Sequence, residues 1–465
     1  MKLSERLKQS DSTDSEPTPT VALAGRAQSE ARDPGGRNQQ QDPLSRLKRR
    51  AEQALLNRMG PALFDSSLTA AKLQADVIRE LNALIKSEEI PLTDDERDRV
   101  VADITNEVLG YGPIEKYLSD PQVSEIMVNA LEGVYVERDG KLYPTDARFL
   151  SDDHLMRVID RIVTPIGRRI DELSPMVDAR LADGSRVNAI IPPLAIDGPA
   201  LTIRKFSTQA YELTDLVSMD TLTTDAGEFL SACVHGRANI LVSGGTGSGK
   251  TTLLNVLSSM IPDNERIVTI EDAAELRLRQ RHVVRLESRP ANIEGKGEVR
   301  TRDLVRNALR MRPDRIIVGE VRGAEVLDMM QAMNTGHDGS LSTLHANSPR
   351  DAISRVETMV LMSGVDLPTR AIREQLASTI ELLVHISRLR DGTRRVTRIC
   401  GVDGMEGDVV TLSDIFQFDH KGGAEENGRS IGELKATGIR PKFEERLNDL
   451  GVTLPARMFD VEALA

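Results

Sequence analysis

Apolar positions change their period along this chain, and the changes divide it. From about Leu47 to Gly110, Leu55, Leu56 and Met59, then Leu73, Val77, Leu81 and Leu84, recur mostly at spacings of three or four. That spacing predicts amphipathic helices. Thr93 and Glu96 then form a capping box ahead of Val100, Val101, Ile104 and Val108, which share one helical face. Over 111–212 the period shortens. Ile126–Val128 and Gly133–Val136 precede an Asp139–Gly140 turn, Met176–Leu181 and Arg186–Ile191 flank Asp183–Gly184, and Leu201–Phe206 follows. With a helical run from His154 to Val163, this predicts a compact α+β domain. From Thr221 to Leu389 short apolar runs alternate with longer helical stretches: Asn239–Ser243, Arg266–Glu271, Val283–Glu287, Arg315–Val318, Gly339–Leu344 and Leu382–Ile386. The alternation implies a mostly parallel sheet covered by helices. Hairpin strands are expected after Arg390, and His420–Gly423 to Asn427–Gly428 reads as a surface turn. The expected order is a tail over 1–45, a helical unit over 46–110, the α+β domain over 111–212, a linker over 213–220 and an α/β domain with a C-terminal extension over 221–465.

Composition sharpens this division. The first 45 residues are rich in Ser, Thr, Gln, Asp, Pro and Gly and bury too little to offset the entropy of ordering, so they read as a disordered tail. Across 465 residues the hydrophobic fraction is 39%, enough for several cores. The net charge of −12 argues against a nucleic-acid-coating protein, and no direct nucleic-acid partner is expected. Cys233 and Cys400 follow no metal-site spacing, which fits a reducing, cytoplasmic compartment. Neither a secretory leader nor an uncharged apolar run long enough to span a bilayer is present, so any membrane contact is expected through partners.

The strongest chemical signal is Gly244–Gly245–Thr246–Gly247–Ser248–Gly249–Lys250–Thr251, followed by Thr252. It fits the G-x-x-x-x-G-K-[ST] pattern, with an apolar strand before it and a helical run after it. Glycines let consecutive backbone N–H groups curl around phosphate, and the helix N-terminus adds its dipole. Lys250 is placed to reach the β- and γ-phosphates, and Thr251 to offer its hydroxyl to Mg²⁺. A purely structural glycine loop is the bland alternative. Glu320 ends the run Arg315–Gly319 at a strand terminus, where it either holds the Mg²⁺ shell or orients the attacking water. Glu271, Asp272 and Glu275 end another strand, and sequence does not divide the labour among these carboxylates. His337 and His345 lack zinc-site spacing and read as a γ-phosphate sensor, a link to a neighbouring subunit, or a structural polar network. Arg302, Arg306 and Arg310 are four apart, so a helix would align them to meet phosphates, nucleic acid or local acids.

Together GGTGSGKTT at 244–252, TIEDAAEL at 269–276, RMRPDRIIVGEVRG at 310–323 and NTGHDGSLSTLHANSPRDAISR at 334–355 resemble the secretion ATPases of bacterial type II and type IV systems. The resemblance spans about 95–415 and is greatest to the CpaF/TadA-type motors of tight-adherence (Flp) pili. A chain without cysteine between Cys233 and Cys400 lacks the tetracysteine subdomain common in type II and type IVa relatives. The resemblance implies an α/β, RecA-like P-loop ATPase domain preceded by the smaller α+β domain, and a homo-hexamer that hydrolyses ATP with Mg²⁺. It further implies polytopic inner-membrane pilus platform proteins as partners, additional pilus regulatory proteins, and a cytoplasmic location held peripherally at the inner membrane. Conjugative or effector-translocating secretion is the alternative role, and a nucleotide-gated scaffold with negligible turnover is an alternative of another class. Carried onto this sequence, Glu320 is the Walker B glutamate, Glu271 belongs to the acidic box, His337 and His345 to the histidine box, and Arg180, Arg186 and Arg204 approach the nucleotide from the N-terminal domain.

Overall fold

The computed structural model describes residues 92–130, 132–138, 140–149, 151–206, 211–291, 295–424 and 430–461, together with 70–87 and separate positions between 47 and 59. The tail expected over 1–45 and part of the helical unit after it lie outside the described residues. The chain divides into two compact units, Met1–Ile104 and Thr105–Ala465.

In the first unit, helix α1 (Ala70–Ser87) buries Val77, Leu81, Leu84 and Ile85, the stripe its three-and-four spacing predicts. Helix α2 (Asp94–Leu109) opens on the expected capping box: Glu96 N donates to Thr93 Oγ1 at 3.2 Å and Thr93 N to Glu96 Oε2 at 2.9 Å.

The second unit holds two sheets. Strands β1 (Glu125–Asn129), β2 (Gly133–Arg138), β3 (Lys141–Pro144), β4 (Met176–Arg180), β5 (Arg186–Ile190) and β6 (Ala200–Arg204) pair antiparallel in the order β3-β2-β1-β6-β5-β4. Alternation along them buries Ile126, Val128, Val134, Val136, Leu201 and Ile203 against helix α3 (Asp152–Val163). Helix α3 is capped by Ser151 and also buries His154. Burial, with Arg157 and Arg161 nearby, holds His154 down to about 4, so the ring is neutral at pH 7.

Residues 213–220, read above as a linker, build a short helix, α4 (Leu213–Ser218), whose Leu216 is buried. Helix α5 (Thr224–His235) leads into the nine-stranded sheet. Its strands are β7 (Ile240–Gly244), β8 (Ile267–Glu271), β9 (Val283–Glu287), β10 (Arg315–Val318), β11 (Leu341–His345), β12 (Leu382–Arg388), β13 (Arg394–Glu406), β14 (Val409–Ala424) and β15 (Ser430–Ala436). The order is β15-β14-β13-β12-β7-β11-β10-β8-β9, parallel from β12 through β9 and antiparallel from β12 through β15. This is a RecA-like α/β fold with a smaller α+β domain before it. The central strand β7 is buried along its length because both faces are covered. Ile240 and Val242 face one core with α5 and helix α6 (Lys250–Ser259), while Leu241 faces a second core. That second core takes in helices α7 (Thr301–Ala308), α8 (Glu325–Asn334), α9 (Pro349–Met362) and α10 (Thr369–Thr379).

Two local expectations need correction. The predicted turn at His420–Gly423 is strand, because β14 continues through Ala424 and pairs with β15; residues 425–429 lie outside the described set. The arginine helix ends at Ala308, so Arg310 is not on its face. Arg302 Nε and Arg306 Nε both bind Asp328 of α8, at 2.6 and 2.7 Å, which spends those two charges inside the domain.

Candidate nucleotide site

The glycine-rich loop leaves the end of β7 and enters α6 through Gly249 at φ 100°, a left-handed conformation that glycine adopts without strain. Gly244 is required for space. A Cβ there would lie 2.2 Å from Ile386 O and 2.6 Å from Ser248 Oγ. Lys250, 8% exposed, turns back into the cradle, where its Nζ donates to Gly245 O at 3.0 Å. Burial pushes this ammonium below its ordinary pKa, with Glu320 opposing the shift. The backbone cradle and the inward-turned cation fit a polyphosphate.

Strand β11 lies between β7 and β10 and delivers His345 to the cradle. Both ring nitrogens sit 3.3 Å from Lys250 Nζ, and Nε2 lies 2.7 Å from Glu320 Oε1. Burial lowers the His345 pKa against the pull of Glu320. Lys250, His345 and Glu320 therefore meet. Glu320 Oε2 accepts from Arg322 Nη2 at 2.6 Å and Nε at 2.8 Å. Oε1 accepts no aligned hydrogen bond from the described residues.

Glu271 has a different setting. Its Oε1 accepts the backbone N–H groups of Glu275 at 2.8 Å and Leu276 at 2.9 Å, pinning the turn after β8. Its Oε2 is buried without a partner, and burial raises the pKa despite those two bonds. Glu271 Oε2, Glu320 Oε1 and the Thr251 hydroxyl are hard oxygen atoms of the kind Mg²⁺ selects. Among the described residues, no three His, Cys, Asp or Glu side chains gather into a metal site of their own.

The three N-terminal-domain arginines part company. Arg186 and Arg204 line a cleft with Thr251 and Thr252. Arg186 Nη1 is held there by Glu275 Oε1 at 3.0 Å. Arg180 instead pairs with Glu287 on β9, at 3.0 Å, and does not line the cleft. The cleft measures about 160 Å³ and is lined from the small domain by Gly184, Lys205 and Phe206 as well as the two arginines. Replacing Arg186 by Ala is expected to raise the ATP KM about tenfold, the size of one lost charge-assisted bond, while Arg180→Ala leaves it within about twofold. Steady-state titration of both variants checks this; equal shifts would sink the distinction.

His337 stands elsewhere. It precedes β11 and His345 ends it, so the strand carries the two histidines to opposite edges of the sheet. His337 Nδ1 lies 3.3 Å from Ala332 O, and its carbonyl accepts Ser340 Oγ at 2.8 Å. The same turn closes over Arg315, which is fully buried, pairs with Glu265 at 2.7 Å and donates to Gly339 O at 3.1 Å. A Cβ at Gly339 would come within 2.1 Å of that guanidinium, which explains this glycine.

Sequence reading missed several groups at the site. Arg394 Nε donates to Gly247 O at 3.1 Å, and Arg388 Nη2 to Gly140 O at 3.0 Å. Together they join the β12–β13 turn to the phosphate loop and to the β2–β3 hairpin. Arg277 lies 4.0 Å over the Phe206 ring at the cleft. No local motif marks these residues.

A phosphate loop between a central parallel strand and its helix, with a carboxylate two strands away and a histidine between them, defines a P-loop ATPase. Residues 107–425 match the family described as "Type II/IV secretion system protein", and the chain belongs to that family as an ATP-hydrolysing enzyme. It is 39% identical over 316 residues to the "Putative conjugal transfer protein Rv3659c" of Mycobacterium tuberculosis, covering 67% of this chain and 89% of that one. To the "Type IV secretion system protein VirB11" of Bartonella quintana it is 32% identical over 324 residues, covering 62% and 90%. A solved structure of the VirB11 ATPase from the Brucella suis type IV secretion system, in complex with sulphate, is similar at 30% identity over 62% of this chain and 91% of that one, with a TM-score of 0.34.

Proposed function

We propose that this ATPase is the Mg²⁺-dependent motor of a type IV secretion or conjugation apparatus, working as a homo-hexamer against inner-membrane components from the cytoplasmic side. The observation that carries the motor reading is the cleft: one wall is the phosphate-loop helix, the other is the small domain, and an ion pair between Arg186 and Glu275 ties them. A triphosphate entering there competes with Glu275 for Arg186. Nucleotide occupancy thus exchanges one interdomain tie for another and turns the domains against each other. Thr251 and the Glu271 and Glu320 carboxylates would hold Mg²⁺, directly or through water, and the ion would supply charge neutralisation to the bound triphosphate. Lys250 holds the terminal phosphoryl group, and Glu320 orients the attacking water.

The conjugal-transfer and type IV secretion relatives support this role over the Flp pilus assembly expected above. Pilus assembly through platform and regulatory proteins stays as the second reading, favoured by α1 and most of α2, which precede the family match at residue 107. No helix among the described residues is long and apolar enough to cross a membrane, so both readings act on the membrane through partners. With Arg302 and Arg306 committed to Asp328, we propose no direct nucleic-acid contact. Deleting the gene and scoring substrate transfer beside surface filaments tests the choice. Loss of transfer with filaments intact supports the secretion reading; loss of filaments alone replaces it with pilus assembly.

A further inference from the structure

Glu320 is held in a way the hydrolytic role does not explain. The negative charge of a water-orienting carboxylate is what draws the water's proton, yet here Oε2 accepts two N–H groups of Arg322 at 2.6 and 2.8 Å, and only Oε1 is left without an aligned donor among the described residues. Both bonds converge on one oxygen, so the guanidinium fixes the position of Oε2 and offsets its charge. The same guanidinium faces a second carboxylate, since Arg322 Nη1 lies 3.7 Å from Asp272 Oδ2. Asp272 is itself oriented, with Oδ1 accepting Thr301 Oγ1 at 2.9 Å and Ser288 Oγ at 3.3 Å. Its Oδ2 thus remains directed to Arg322. The backbone of Arg322 is anchored independently, with its N–H donating to Glu325 Oε1 at 2.6 Å. The side chain can therefore exchange acceptors while its Cα stays in place.

We propose that Arg322 is a positioning residue with two seats: on Glu320 it holds the water-orienting carboxylate at rest, and on Asp272 it releases that carboxylate for hydrolysis. The inference rests on Glu320 acting on water, as read above. A γ-phosphate arriving at Lys250 draws the ammonium from His345, leaving the ring with its contact to Glu320 Oε1 at 2.7 Å. That favours transfer of Arg322 to Asp272. Because Asp272 bonds Thr301, the first residue of α7, the second seat also ties the state of Glu320 to the helix that grips α8 through Asp328.

A double-mutant cycle on the full chain tests this. Arg322→Gln removes the resting grip, so kcat should rise about threefold or more while the ATP KM stays within about twofold. Asp272→Asn weakens the second seat, so kcat should fall. In the double variant Asp272→Asn should cost nothing further, a coupling of about threefold or more. A kcat that falls in Arg322→Gln, or single effects that simply multiply in the double variant, would overturn the proposal. If Arg322→Gln does not fold, Arg322→Lys, which loses the two-bond grip but keeps the charge, should show the same rise at smaller size. A fall in that variant overturns it equally. Full turnover in Glu320→Gln would instead remove the water-orienting reading beneath it, so the two failures are distinguishable.

Discussion

Glu320→Gln should bind ATP within about twofold of the wild-type affinity and lose about 10²–10⁴ in kcat, the range general-base and water-orienting groups contribute. The substitution keeps the side-chain volume and one carbonyl oxygen, so Arg322 retains an acceptor on that residue. What it removes is the negative charge and the second acceptor at Oε1, the oxygen without an aligned donor from the described residues. Binding survives because Lys250, Gly245 and the loop N–H groups are untouched. Phosphate release at saturating ATP, beside equilibrium titration with a fluorescent nucleotide, separates the two quantities. A fall in kcat of less than about tenfold would strip Glu320 of its role. Glu271→Ala is the instructive contrast: Oε1 of Glu271 caps two backbone amides, so its loss should lower the melting temperature as well as turnover.

How legible the site was in the sequence depends on the range of the interactions. The phosphate loop, Lys250 and Glu320 were legible because local constraints write them. Glycines must stand where a Cβ meets Ile386 O or where φ is positive, and Glu320 closes a short apolar strand. The strands of the nine-stranded sheet up to β12 fell where short apolar runs stood, since a strand covered on both faces leaves no other pattern. His337 was grouped with His345 because the family resemblance places both in the histidine box. Strand geometry separates them by about 3.3 Å per residue, so one reaches the cradle and the other the opposite edge. Arg388 and Arg394 carried no signal, and Arg388 meets Gly140 across 248 residues of sequence. Arg322 stands in the 310–323 motif two residues from Glu320, but only folding brings Asp272 to it. The family resemblance carried Arg180, Arg186 and Arg204 as a set. The structure divides the set because β4 points its last arginine at Glu287, while β5 and β6 bring theirs to the cleft.

Lys250→Ala should weaken ATP binding about 100-fold and abolish measurable turnover, at no cost to the fold. The ammonium is nearly buried, and among the described residues its hydrogen-bond partners are the Gly245 carbonyl and the His345 ring. That is incomplete compensation for a cation taken from water, and burial lowers its pKa accordingly. Truncation therefore removes an unfavourable term from the empty protein and a charge-assisted bond of about 1.5–3 kcal/mol from the loaded one. Ligand linkage makes the two effects visible in one thermal experiment. At ATP equal to 100 times the wild-type Kd, the wild type gains about 2.7 kcal/mol of stability. With a Kd 100-fold weaker, the variant at that same concentration gains only about 0.4 kcal/mol. Without nucleotide its melting temperature should match or exceed the wild-type value. If ATP raised the melting temperature of both proteins equally, the polyphosphate would have to lie outside this cradle. Glu320 would then face no phosphoryl group, and neither the fall expected in Glu320→Gln nor the two seats of Arg322 would have a reaction to act on.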